Sequence, residues 1–94
     1  MAITSEYKGF IFIKGNELSA KKLEKVKCKK KISFNSQIQT YDYVKDKLIE
    51  KAKLLGGNAI IYFEMHQTDF FCLGRGIAAI LSDDKIEEIF DRFE

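Results

Sequence analysis

TYDYVKDKLIEKAKLLGGNAIIYFEMHQTDFFCLGRGIAAIL, residues 40–81, is the stretch that decides the fold. In its first part, apolar residues recur at the three- and four-residue spacing that places them on one side of a helix. We therefore expect an amphipathic helix with a core-facing stripe. The stripe consists of Tyr41, Val44, Leu48, Ala52 and Leu55.

Both ends of this helix carry a signal in the sequence. Thr40 is expected at the N-cap, where its hydroxyl accepts a bond from a free backbone N–H. Gly56 and Gly57 are expected to end the helix, because a C-terminal cap needs the left-handed conformation that glycine adopts without strain.

A strand, a turn and a second strand follow the glycines. Residues 58–66 (NAIIYFEMH) are rich in strand-forming types, and strict alternation predicts two faces. Gln67 to Asp69 reads as the turn of a hairpin. Residues 70–81 are apolar at both parities, which predicts a strand covered on both sides. The predicted faces of the first strand are Ala59, Ile61, Phe63 and Met65 on one side, and Ile60, Tyr62, Glu64 and His66 on the other.

The rest of the chain supplies four more expected elements. They are a strand at Gly9–Lys14, a helix at Glu17–Val26, a strand at Cys28–Phe34, and a last helix capped by Ser82 or Asp83 with the stripe Ile86, Ile89, Phe90 and Phe93. The resulting order is β-α-β-α-β-β-α. It predicts one α+β domain over residues 1–94, a two-layer sandwich with one mostly antiparallel sheet and helices packed on it.

Charge is distributed unevenly, although the net charge is only +2. Residues 21–31 (KKLEKVKCKKK) contain seven Lys and one Glu, whereas residues 83–94 contain six acids and two bases. The basic run suits an anionic partner, a nucleic acid or an acidic protein. It equally suits an edge strand that lysines protect from pairing with other chains.

The cysteine count, the start of the chain and the length of its apolar stretches bear on compartment and membrane association. Two cysteines do not make a disulfide framework, and the start of the chain lacks the basic and apolar regions of a signal peptide. No apolar stretch reaches the length of a membrane span. We expect a cytoplasmic protein with free thiols and no membrane partner.

Candidate chemical sites are few. His66, Cys72 and Glu64 could become neighbours across the hairpin and supply some ligands of a divalent metal, although no CxxC or CxxH spacing is present. Cys72 with His66 is also the one local pair that could act as nucleophile and base. No acid or oxyanion hole is evident beside it, so we do not expect an enzyme.

Ligand-binding candidates are all cationic. Arg75 lies in an otherwise apolar strand, where its charge needs a partner, water or a ligand. Lys29, Lys30 and Lys31 form the densest part of the basic run. Aromatic residues beside them could stack on nucleic-acid bases, although the same residues are more simply explained as core.

Residues 52–61, AKLLGGNAII, resemble the signature of the YbjQ-like family of small bacterial domains, which carry a heavy-metal-binding label. Gly76-Ile77-Ala78 lies where the second hairpin strand of that family carries a Gly-small-Ala element. The resemblance covers about residues 47–81. Departures include Gly57, where the family commonly has Ala or Ser, and a short Lys-rich segment in place of a longer first helix.

The resemblance implies a symmetric homo-oligomer, commonly a ring, with the hairpin sheet near the subunit contact. It brings no catalytic motif and no metal-ligand pattern that maps onto this chain. The first hypothesis is thus a non-enzymatic oligomeric binding or scaffolding domain with a metal or small ligand at subunit boundaries. The alternatives are a module that binds an anionic partner through Lys21–Lys31, and a Cys72–His66 thiol enzyme.

Overall fold

The structure, a computed structural model, describes residues 3–17, 19–32 and 37–91. These ranges contain one five-stranded sheet and two helices, so the predicted α+β class is confirmed. The order is β-β-β-α-β-β-α rather than the predicted β-α-β-α-β-β-α. The elements are β1 (Ile3–Tyr7), β2 (Phe10–Lys14), β3 (Lys21–Lys31), α1 (Gln37–Leu54), β4 (Ala59–Gln67), β5 (Phe71–Ile80) and α2 (Asp83–Asp91).

The strands lie in the order β1-β2-β4-β5-β3 across the sheet. Neighbouring strands are antiparallel except β2 and β4, which pair in parallel with Ile11 opposite Ala59. The sheet is therefore mostly antiparallel, as expected. β3 lies at one edge of the sheet, although it precedes α1, β4 and β5 in the chain. Because β3 pairs with β5, its lysines lie beside the strand that carries Arg75.

β1 was not expected from the sequence. It forms a hairpin with β2 through the two-residue turn Lys8-Gly9, with Tyr7 opposite Phe10. Both turn residues have positive φ, 51° and 80°, the backbone of a type I′ turn whose twist suits a hairpin. A strand-forming segment before a Lys-Gly pair was the available signal.

The predicted helix at Glu17–Val26 is wrong, because residues 21–31 form strand β3 instead. Lys, Leu and Glu favour helices locally, but this preference amounts to only tenths of a kcal/mol per residue. Pairing with β5 from Lys21 to Lys31 satisfies the backbone and buries Val26, which outweighs that preference. The last residues of the strand predicted at Cys28–Phe34 lie outside the described part of the chain.

α1 begins at Gln37, before the expected N-cap, so Thr40 lies inside the helix and is buried. The stripe is confirmed for Val44, Leu48 and Ala52, each fully buried, whereas Leu55 lies beyond the helix and is exposed. Gly56 has a φ of 85°, and the amides of Gly56 and Gly57 donate to the carbonyls of Lys53 and Ala52. This pattern is a Schellman C-cap, as the glycine pair predicted.

The two helices pack on opposite faces of the sheet, which differs from the predicted two-layer arrangement. On one face, residues of α1 pack in a cluster with alternate residues of β2, β4 and β5, such as Phe12, Ile60 and Ala78. On the other, Ile89 of α2 packs in a cluster with their sequence neighbours, including Ile61 and Ala79. The sheet is thus covered on both sides over β2, β4 and the end of β5.

Ser82, one of the two predicted caps, lies just before α2, and its hydroxyl accepts from the Lys85 amide at 3.2 Å. Ile89 of the predicted stripe is buried, and Ile86 and Phe90 are half-buried. Phe93 lies outside the described residues. α2 spans nine described residues, and no described element lies over the far half of its sheet face, where Lys25, Lys27 and Arg75 are exposed.

Candidate anion-binding face

A bulge in β4 decides which side chains reach the uncovered half of the sheet. Ile61 pairs with Ile77 and Glu64 with Arg75, so β4 contains one more residue than β5 between these pairs. Tyr62 lies in this bulge with a φ of 52°, and its amide donates to the carbonyl of Gly15 at 2.8 Å. A non-glycine residue in this conformation is uncommon and worth notice at a candidate site.

The bulge also corrects the predicted faces of this strand. Ile60, Phe63 and Met65 lie on the α1 side of the sheet, whereas Ala59 and Ile61 belong to the α2 side. Strict alternation had grouped Phe63 and Met65 with Ala59 and Ile61. The inserted residue shifts the parity by one and leaves Glu64 and His66 on the α2 side, beyond the reach of that helix.

This uncovered half of the α2-side surface is called the open face below. Register pairs Lys25 with Ile77, Lys27 with Arg75, Lys29 with Leu73 and Lys31 with Phe71, and all four lysines are exposed. The open face carries five cations and one carboxylate. Its members are Lys25, Lys27, Lys29, Lys31, Tyr62, Glu64, His66, Phe71, Leu73, Arg75 and Ile77.

Arg75 forms an ion pair with Glu64 at 2.6 Å across the β4–β5 ladder. Its Nε also donates to the same carboxylate oxygen at 2.8 Å. Both side chains are more than half exposed, so the pair contributes little to stability. The expected partner of Arg75 is thus found, and the guanidinium lies beside Glu64 with much of its surface in solvent.

Two shallow depressions lie along the open face. One, of about 500 Å³, is lined by residues that include Lys25, Lys27, Tyr62 and Arg75. The other, of about 420 Å³, is lined by Lys29, Lys31, Phe70 and Phe71 near the β4–β5 turn. Each depression therefore combines lysines with an exposed aromatic ring: Tyr62 is 41% exposed and Phe70 is 75% exposed.

The turn that presents Phe70 is ordered by one side chain. The hydroxyl of Thr68 accepts from the amides of Phe70 and Phe71, both at 3.1 Å. The Thr68 amide in turn donates to the carbonyl of Phe71 at 2.9 Å. The turn therefore presents the ring of Phe70 to solvent.

The three lysines predicted to bind a ligand lie on different sides of the sheet. Lys29 and Lys31 lie on the open face, where the Lys29 ammonium is 4.2 Å from the centroid of the Phe71 ring. Lys30 has the opposite parity and lies near α1, with its ammonium 5.0 Å from the Tyr43 ring centroid. Arg75 joins Lys29 and Lys31. Lys25 and Lys27 were not singled out, although the alternation seen at Cys28–Phe34, extended backwards, would have indicated them.

The predicted metal ligands are likewise separated. Glu64 is paired with Arg75, and His66 is exposed on the open face opposite Leu73. Cys72 lies on the α1 side, fully buried, with its Sγ 3.3 Å from the Sδ of Met65. In the described ranges, no group of three or more His, Cys, Asp or Glu side chains is placed to hold a metal ion.

Cys72 also lacks the environment of a nucleophile. Burial raises the pKa of its thiol, with a smaller contribution from Cys28, so the reactive thiolate is disfavoured. His66 lies on the opposite side of the sheet and cannot serve as its base. The arrangement gives no support to the thiol-enzyme alternative.

Comparison with known proteins identifies the fold and no function. A crystal structure of a protein of unknown function of the DUF74 family, from Pediococcus pentosaceus ATCC 25745, is similar with a TM-score of 0.66. The two share 18% identity over 80% of this chain and the whole of the other. No family model matches the chain, and no curated protein matches it.

No helix within the described ranges is long and apolar enough to cross a membrane.

Proposed function

We propose that this protein is a non-enzymatic binding domain whose open face holds an anionic partner. One observation carries the proposal. Four lysines lie in a row beside Arg75, and together with aromatic rings these cations line the two depressions: Lys25, Lys27, Lys29 and Lys31. A ligand with several negative charges would neutralise several of these cations at once, and each contact would add to binding and to its salt dependence.

Protection of an edge strand does not account for all of these charges. Lysines on an edge strand such as β3 prevent pairing with other chains, and that role needs nothing from the next strand. Arg75 lies on β5, one strand inside the edge, and it lines the larger depression with Lys25 and Lys27. The cations therefore form a surface rather than a line along the edge, which supports a binding role.

Retention on immobilised heparin tests this proposal with a matched control. The double variant Lys27→Gln/Lys29→Gln removes two charges from the open face. The control Lys30→Gln/Lys53→Gln removes two from the α1 side, so both variants have the same net charge. We expect the first variant to elute at clearly lower salt than the control. At 0.1 M salt, exposed charges more than about 10 Å apart are largely screened from each other, so lysines on the α1 side contribute little to binding at the open face. Equal elution of the two variants would show that the open face is not the binding surface.

Assembly into a homo-oligomer is the second candidate function. The outer side of α2 presents five exposed carboxylates, which complement the lysines of the open face on another copy: Asp83, Asp84, Glu87, Glu88 and Asp91. Such a contact joins two different surfaces and leads to a ring when the rotation closes. The resemblance to YbjQ-like domains favours the same arrangement, in which a ligand bound on the open face would lie at a subunit boundary.

Native mass spectrometry and light scattering at low and high salt test the assembly. We expect a defined oligomer that the variant Glu87→Gln/Asp91→Asn weakens. The control Asp46→Asn/Glu50→Gln removes the same charge from α1, where each carboxylate forms only an exposed ion pair. A monomer at all salt concentrations, or equal effects of the two variants, would rule out this contact.

A further inference from the structure

We infer that the anionic partner of the open face is single-stranded nucleic acid; this inference rests on the proposed function. The first argument is spacing. Lys25, Lys27, Lys29 and Lys31 occupy alternate positions of one strand, so their attachment points are about 6.8 Å apart. This is close to the separation of successive phosphates in an extended single strand. A backbone lying along β3 would thus meet one lysine per phosphate.

The aromatic rings supply the second argument. Tyr62 lies near the Lys25–Lys27 end of the row, and Phe70 lies near the Lys29–Lys31 end. Unpaired bases of any sequence can stack on such exposed rings. An extended acidic peptide could match the lysine spacing equally well, but its Asp and Glu side chains carry no aromatic ring to stack on Tyr62 and Phe70. The rings therefore favour nucleic acid over an acidic polypeptide.

The dimensions of the open face favour a single strand over a duplex. The open face spans three strands, β3, β5 and β4. The distance between the axes of the outer two, β3 and β4, is about 10 Å. In a duplex the bases stack on each other inside the helix, where the rings of Tyr62 and Phe70 cannot reach them. The row from Lys31 to Lys25 is about 20 Å long by the same strand geometry, enough for roughly three to four nucleotides.

Arg75 contributes at the centre of this path. It faces Lys27 across the β3–β5 ladder, and its guanidinium donates two hydrogen bonds to Glu64. The exposed part of a guanidinium can bond a phosphate or stack on a base. Arg75 would then lie between the two aromatic sites and connect them along the strand.

The test is fluorescence anisotropy of a labelled oligo-dT of about 12 nucleotides, with oligo-U, duplex DNA, heparin and polyglutamate as competitors. We expect oligo-dT or oligo-U to compete far better than the duplex or polyglutamate. Lys27→Gln/Lys29→Gln should reduce the slope of log affinity against log salt by about 1.4, because each phosphate contact on a single strand contributes about 0.7. Lys30→Gln/Lys53→Gln should leave the slope unchanged.

Variants of the rings separate stacking from charge. Tyr62→Leu and Phe70→Leu should each weaken oligo-dT binding by roughly fivefold to a hundredfold, whereas Tyr62→Phe and Phe70→Tyr keep a ring and should bind normally. Elution from heparin should not change in any of the four. Leucine variants that bind oligo-dT like the unmodified protein, or polyglutamate or duplex that competes as well as oligo-dT, would overturn the inference. The proposed function would survive either result, and would fail only if heparin elution did not distinguish the two lysine variants.

Discussion

Tyr62 shows how one residue redirects a whole strand. Because it is inserted into β4 without a partner on β5, every later side chain of the strand changes sides. Phe63 and Met65 thereby reach the core under α1, and Glu64 reaches Arg75. Alternation alone could not reveal this, because nothing in the letters IIYFEMH marks the extra residue. Within the bulge, the Tyr62 amide donates to the carbonyl of Gly15, a residue distant in the sequence.

Gly74 lies where α1 packs closely on the sheet. Glycine inside a strand is typical of a bulge or of close approach by a neighbouring element, and at Gly74 that element is α1. A β-carbon at Gly74 would lie 2.5 Å from Cγ1 of Val44 and 2.9 Å from Cδ1 of Leu48. We expect Gly74→Ala to lower the free energy of unfolding by about 1–3 kcal/mol, measured by urea denaturation. Combining it with Val44→Ala should cost less than the sum of the two single changes, and strict additivity would contradict this account.

Cys72 is expected to react slowly. Since burial raises the pKa of its thiol, alkylation requires both local opening and a higher pH than the ordinary thiol needs. In a Cys28→Ser variant we expect Cys72 to react on the order of a hundredfold more slowly than free cysteine at neutral pH, an opening free energy of about 2.7 kcal/mol. The alkylation rate should continue to increase with pH beyond about 8.5, the pKa of an ordinary thiol. Rapid labelling at pH 7 would revive the thiol-enzyme hypothesis.

At the scale of elements, the sequence predicted well where local chemistry and packing agree. The end of α1, the β4–β5 hairpin and the start of α2 combine strong periodicity with glycine or serine at the caps. It failed over the first part of β3, up to Val26, where lysines favour neither state strongly and pairing with β5 decides the outcome. The open face lies half on β3, so its surface could not be assembled until that strand was placed at the edge beside β5.

The C-cap of α1 offers a direct test. Gly56 has a φ of 85°, and a β-carbon there would meet open space, so an added methyl group costs backbone strain alone. Gly56→Ala should therefore destabilise the protein by about 1 kcal/mol, and Gly56→Asn by less, because asparagine tolerates the left-handed region better. Thermal unfolding followed by circular dichroism measures both. Equal stability of Gly56→Ala and the unmodified protein would contradict the cap assignment.

For the whole molecule, the decisive feature is one sheet shared by two hydrophobic clusters. Phe12 and Ile11, or Ile60 and Ile61, are sequence neighbours that belong to opposite clusters. Neither helix can leave without exposing a face of the same strands. The sequence predicted this for β5, which is apolar at both parities, but did not say which helix would cover which side.

We expect the two clusters to unfold together. Leu48→Ala in α1 and Ile89→Ala in α2 each remove a fully buried side chain. Each should lower the free energy of unfolding by about 2–5 kcal/mol. In both variants, far-UV circular dichroism and tyrosine fluorescence should report the same transition. If Ile89→Ala released α2 in a separate step before the sheet unfolded, the clusters would be independent units.

The alternation of β3 has a consequence for how the chain avoids mispairing. Sliding β3 by one residue along β5 would move Val26 and Cys28 into water and turn Lys25, Lys27, Lys29 and Lys31 toward α1. Each ammonium group forced into that interior would cost several kcal/mol. The row of lysines thus selects one register for the edge strand β3 and destabilises the adjacent registers, whatever the open face binds.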